Sequence, residues 1–116
     1  MIDHAAILVQ KLASMFPNSE ERDRIRDELN KYGQEPYEGA ISRVQLAILK
    51  VAGTSFEKIR EWTDIAKRDF RDVLAAAEYP EELITPTWKL PQSECKAIRE
   101  KDAEQYLRWI EEKYEG

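Results

Sequence analysis

The sequence predicts an all-α protein, a single-domain bundle of about five helices spanning residues 1–116. Three observations carry this. Apolar residues recur at spacings of three and four over most of the chain, the period of a helix with one buried face. Helix-stopping residues, Pro17, Gly33, Gly53 and Pro80, fall between those segments. No alternating period-two segment stands out; the best candidate, "ELITPTW", is broken by Pro86.

The elements follow in order. The first helix runs from about Ile2 to Met15, with Ile2, Ala5, Val9, Leu12, Ala13 and Phe16 as its apolar stripe. In "PNSEE", Asn18 is placed to cap a second helix, with Glu21 three residues on. That helix, about Ser19 to Lys31, has a thin stripe of Ile25, Leu29 and Tyr32 and ends at Gly33. The third runs from about Ala40 (or from Pro36) to Ala52 and is apolar over most of its circumference, as expected of a central helix. Gly53 ends it. Thr54 restarts the chain as an N-cap, so helices three and four are expected to form an antiparallel hairpin.

Helix four is expected to run unbroken from about Ser55 to Glu78. A proline-punctuated connection follows. Its apolar members Leu83, Ile84, Trp88 and Leu90 suggest a strap laid across the core. The last helix runs from about Ser93 to Tyr114, with Ile98, Tyr106, Trp109 and Ile110 inward, widened by Ala103, Leu107 and Tyr114.

Composition bounds the function. A chain of 116 residues suits one domain able to bury its own core. Charged residues make up 35%, above the usual level of about a quarter, and glycine is scarce. The net charge of −5 argues against a nucleic-acid partner. One cysteine, Cys95, rules out an internal disulfide or a thiolate cluster and suggests a reducing compartment. No apolar run reaches the ~20 residues of a membrane span. The opening "MIDHAAILVQKLASMF" lacks the pattern of a signal peptide. The expectation is a cytoplasmic protein with no membrane partner, no cofactor and no bound metal. His4 is read as a surface residue of the first turn. Cys95 is read as a small semi-buried residue.

Candidate sites are few. At roughly 100° per residue from Phe56, Asp72 falls at about 160°, in the charged half of helix four, while Asp69 falls at about 220°, among Trp62, Val73 and Ala76. Asp72 is expected to pair with Arg68. A carboxylate in an apolar half must be capped, bridged or hydrogen-bonded. Asp69 is therefore the candidate buried polar or ligand residue. Trp62, Ile65 and Ala76 form the candidate interaction strip. Glu78, Glu81 and Glu82 crowd the end of helix four, where the macrodipole disfavours negative charge, and form a candidate acidic patch. No phosphate loop, zinc spacing or Ser-His-Asp order is present. A helix-turn-helix reading of "LAILKVAGTSFEKIREW" fails on length and on Glu57, Glu61, Asp64 and Asp72. No catalytic residue is assigned, and the balance leans away from an enzyme.

The segment "EPYEGAISRVQLAILKVAGTSFEKIREWTDIAKRDFRDVLAAAEYPEEL" resembles an uncharacterised family of small all-helical bacterial proteins. Their pattern is "EPY…RVxLAILKLA…AKxDYRDVLAxAEYPE…QYxxWL". Asp102, Gln105, Tyr106, Trp109 and Ile110 stand at its last element. The chain departs at Phe70, where the pattern has Tyr, and at "VAGTS", where it has a more acidic turn. The resemblance implies a helical fold and a bacterial origin, and supplies no activity. The function expected is protein–protein contact, as a homodimer or with another protein. The alternative is a small-molecule or metal site around Asp69.

Overall fold

The computed structural model describes residues 2–112. They form one all-helical globule of seven α-helices: α1 (His4–Met15), α2 (Ser19–Leu29), α3 (Ile41–Ala52), α4 (Phe56–Arg68), α5 (Phe70–Glu78), α6 (Pro80–Ile84) and α7 (Gln92–Glu111). A single 3₁₀ turn, Thr87–Lys89, lies between the last two. The count exceeds five for two reasons. The long fourth helix is cut at Asp69, and the connection after Pro80 winds into a helix of its own.

α3 is the axis of the core, packing against α1, α4 and α5. Six consecutive residues, Val44 to Leu49, are buried, so no side of this helix meets water over almost two turns. Gln45, polar among them, donates from Nε2 to the carbonyls of Leu29 (3.0 Å) and Tyr32 (3.1 Å). It thereby serves the Tyr32 carbonyl beyond the end of α2 and adds a second donor to the Leu29 carbonyl, which also accepts the Tyr32 N–H. The α2 stripe of Ile25, Leu29 and Tyr32 is buried as expected, and Asn18 caps α2 through the N–H of Glu21 (3.0 Å). Gly33 ends the turn after α2 at φ +111°, where a Cβ would also stand 3.1 Å from Ile41.

Four local expectations need correction. In α1 the buried face is Leu8, Lys11, Leu12 and Met15, while Val9, Ala5 and Ala13 face outward. The helix is apolar enough that its periodicity supports two faces, and a lysine inside was not anticipated. Ser55 rather than Thr54 caps α4, accepting from Lys58 N–H at 3.3 Å. The strap does not cover the core: Leu83, Ile84 and Trp88 are 60%, 77% and 80% exposed. In α7 only Asp102 and Tyr106 are buried. Ile98, Trp109 and Ile110 are half-buried, Ala103 and Leu107 are exposed, and Tyr114 lies outside the described residues. α7 packs on α6 and α5.

Candidate functional site

"DFRD" is a helix junction. Asp69 is extended (φ −156°, ψ 99°) and serves both helices it separates. Its N–H donates to the Ile65 carbonyl at 2.8 Å and closes α4. Its Oδ1 accepts the Arg71 N–H at 3.1 Å and opens α5. Arg71 then clamps the carboxylate, Nε to Oδ1 and Nη2 to Oδ2, both at 3.0 Å. The hydrogen bonds from Arg71 hold the Asp69 carboxyl below its usual range. The side chain is 36% exposed. The helical wheel that put Asp69 in an apolar half-cylinder therefore does not apply, because the cylinder ends at Arg68. For the same reason Arg68 and Asp72 no longer share a helix. Asp72 sits in the first turn of α5, where the helix dipole favours a negative charge.

Beside this junction lies a hollow of about 400 Å³ bordered by Tyr37, Glu38, Lys67 and Arg71. Glu38 is its buried carboxylate. Oε1 accepts the N–H groups of Gly33 and Glu35, each at 3.0 Å, and Lys67 Nζ reaches Oε2 at 3.2 Å. Burial pushes the Glu38 carboxyl up, but the two N–H donors and Lys67 outweigh it and hold it below the ordinary value. Glu38 and Lys67 pair with each other here, as do Asp69 and Arg71. Among the described residues no three His, Cys, Asp or Glu side chains gather as a metal ion would need.

The acidic patch also dissolves into separate jobs. Glu78 turns inward and is buried. It holds the Arg43 guanidinium by two bonds, Nε to Oε2 at 2.8 Å and Nη2 to Oε1 at 2.6 Å. This pairing keeps Arg43 firmly protonated. Glu81 and Glu82 stand in the first turn of α6, where negative charge is favourable. Their own N–H groups donate to Asp102 Oδ1 (3.0 Å) and Oδ2 (3.1 Å). Glu82 also meets Arg99 at 3.5 Å. The crowding of glutamates was misread because α5 stops and a new helix starts one residue later.

Asp102, wholly buried, is the residue that sequence reasoning missed. It caps α6 from another helix, twenty-one residues away. Three residues on, Gln105 Nε2 donates to the Ala77 carbonyl at 3.2 Å near the end of α5. Tyr106 stacks on Trp109 (centroids 6.3 Å apart), and the buried Lys11 ammonium lies 4.4 Å from the Trp109 ring centre. Lys11 also donates to the Glu112 carbonyl. Burial lowers its pKa, partly offset by Glu112. The signal available in sequence was Asp102, Gln105, Tyr106 and Trp109 falling on one face of α7 at spacings of three, one and three.

A crevice of about 330 Å³ opens beside the Arg43–Glu78 pair. Ile2, His4, Tyr79, Ala103 and Leu107 line it, with Tyr106. His4 is thus a half-buried wall residue as well as a first-turn one.

No protein-family model, curated protein or solved structure matches the chain.

The expected strip is divided by the junction. Trp62 and Ile65 belong to α4 and pack half-buried against the core, and Ala76, also half-buried, belongs to α5. Of the large apolar side chains exposed among the described residues, Tyr79, Leu83, Ile84, Trp88 and Leu107 follow α5, while Val9, Tyr37 and Ile41 lie before it. Trp88 is flanked by the Lys89 ammonium, 4.7 Å from its ring centre. Among the described residues no helix is long and apolar enough to cross a membrane.

Proposed function

We propose that this is a non-enzymatic helical protein that works through protein–protein contact, and that the contact is made by the strap over residues 79–90 against a second copy of the chain. One observation carries the reading. Leu83, Ile84 and Trp88 are left largely in water on a segment that the sequence makes apolar. Exposed apolar groups of this size in one stretch mark interaction surfaces, and a tryptophan is a favoured anchor of binding energy. Glu82 and Lys89 flank the three, so a twofold arrangement can set opposite charges against each other. The reading keeps the expected antiparallel sense of α3 and α4, which their short connection and mutual packing favour. It also keeps the bacterial, cytoplasmic setting that the family resemblance and the single cysteine suggest.

The test is sedimentation of the full chain across a concentration series. The expected result is a dimer of 13.6 kDa chains. Changing Leu83→Glu, Ile84→Lys and Trp88→Ser together is expected to leave a monomer with an unchanged far-ultraviolet spectrum. A wild-type protein that stays monomeric throughout overturns the reading. So does a triple variant that dimerises like wild type.

A further inference from the structure

We propose that the strap over residues 79–90 docks in the seam between α1 and α7 of a second copy, and that two copies do this to each other about a twofold axis. The inference rests on the reading of the strap as the contact surface and adds where on the second copy it lands. Two hollows lie along the seam. The first, of about 330 Å³, has Ile2 and His4 on one side and Ala103 and Leu107 on the other. The second, of about 590 Å³, has Gln10 and Ala13 of α1 facing Ile110 and Glu111 of α7. Both helices therefore pass from the first hollow to the second in the same direction. Ala103, Leu107, Ile110 and Glu111 follow at spacings of four, three and one, so one face of α7 borders both hollows. On that face Ala103 and Leu107 are exposed and Ile110 is half-buried. Beside it the outward residues Ala6, Gln10 and Ala13 of α1 carry no charge, in a chain that is 35% charged. An open, weakly polar seam of this kind is the surface expected of a contact rather than of a solvated flank.

The occupant is fixed by the order of the chemistry along strap and seam. The strap runs from Glu82 through Leu83 and Ile84 to Trp88 and Lys89. The seam runs from hydrogen-bond donors through apolar walls to carboxylates. His4 and Tyr79 line the first hollow, with Arg43, whose bonds to Glu78 use Nε and Nη2 and leave Nη1. Glu111 and Glu112 line the second. In this register Glu82 meets the donors, Leu83 and Ile84 cover Ala103 and Leu107, Trp88 enters the larger hollow, and Lys89 meets Glu111. The reverse register sets Glu82 against Glu111 and is disfavoured. The lengths agree: His4 and Ala13 stand about 14 Å apart along α1, and the steps from Glu82 to Lys89 reach between about 10 Å as helix and about 23 Å as extended chain. A tryptophan in a pocket with charges at the rim is the usual anatomy of a binding anchor. Tyr79 begins the strap and also lines the first hollow. Strap and seam are thus neighbours on one face, and a twofold axis beside Tyr79 uses both at once.

Sedimentation of the full chain across a concentration series tests this with variants of the seam. Leu107→Glu and Ala13→Arg, both at exposed positions, leave the strap intact. Each is expected to weaken self-association at least about thirtyfold, with an unchanged far-ultraviolet spectrum. Lys89→Glu is expected to weaken it about fivefold, and adding Glu111→Lys to restore it to within about twofold of wild type. Lys89 and Glu111 are exposed, so this pair reads the contact without disturbing the fold. A wild-type protein that stays monomeric overturns this proposal and the strap reading together. A dimer that is lost on changing Leu83, Ile84 and Trp88, yet keeps wild-type strength in Leu107→Glu and Ala13→Arg, overturns the proposal alone and sets strap against strap. A double charge variant that associates no more strongly than Lys89→Glu overturns it as well.

Discussion

The α1–α5 unit and the α6–α7 layer are built on different principles. The first is held by apolar burial: Leu12, Ile25, Leu29, Val44, Leu46, Ile48, Leu49, Ile59 and Val73 are all within 1% of complete burial. The second buries little apolar surface and is held by directed polar bonds. Asp102 caps α6, and Gln105 holds the Ala77 carbonyl of α5. The contrast explains why Leu83, Ile84, Trp88 and Leu107 of the second layer stay exposed. A segment attached by a few caps keeps its side chains free, whereas a segment attached by packing must spend them.

The contrast can be broken in order of size. Leu49→Ala, in the middle of α3, is expected to cost about 2–5 kcal/mol, since it removes transfer energy and leaves a cavity; a denaturant melt reads it directly. Asp102→Ala should cost less, about 1–3 kcal/mol, as two partly buried N–H groups lose their acceptor. Its distinctive sign is faster amide exchange at Glu81 and Glu82 with α3 unchanged. Equal loss of protection in α3 would mean that the two layers open as one.

Asp69→Ala removes a helix cap and is expected to lower the urea midpoint more than Asp72→Ala does. Equal losses would remove the junction from the account. The smallest effect concerns acid. A carboxyl whose folded pKa lies below its unfolded value adds stability at pH above the unfolded value and loses it as pH falls through the folded one. Glu38 has its pKa lowered from 4.5. Its contribution is therefore full near neutrality and fades below about pH 4.5. Glu38→Gln should flatten the acid limb of the stability profile there. An unchanged slope would show that its N–H donors do not favour the charged form.

Much of the fold was legible because periodicity and stop residues are local. Tyr32 closes the α2 stripe, the apolar circumference of α3 marks the centre, and Asn18 announces a helix start; each depends on neighbours within one or two turns. The "DFRD" junction was almost legible, since an aspartate three residues before another acid is also a helix-start pattern. Helical periodicity runs through the cut with no change of residue type, so the sequence offered two readings and packing chose one. The inward turn of Glu78 and the cap from Asp102 were not legible, because their partners lie 35 and 21 residues away. Sequence by itself determined that this chain is helical, where most helices stop, and which helix lies at the centre, because those properties follow from backbone propensity and the spacing of apolar side chains. Only the tertiary structure decided which carboxylates are buried, that Tyr106 keeps a buried hydroxyl without a partner among the described residues, and that Leu83, Ile84 and Trp88 face water. Burial is a property of what else arrives at the same place, and no local spacing encodes it.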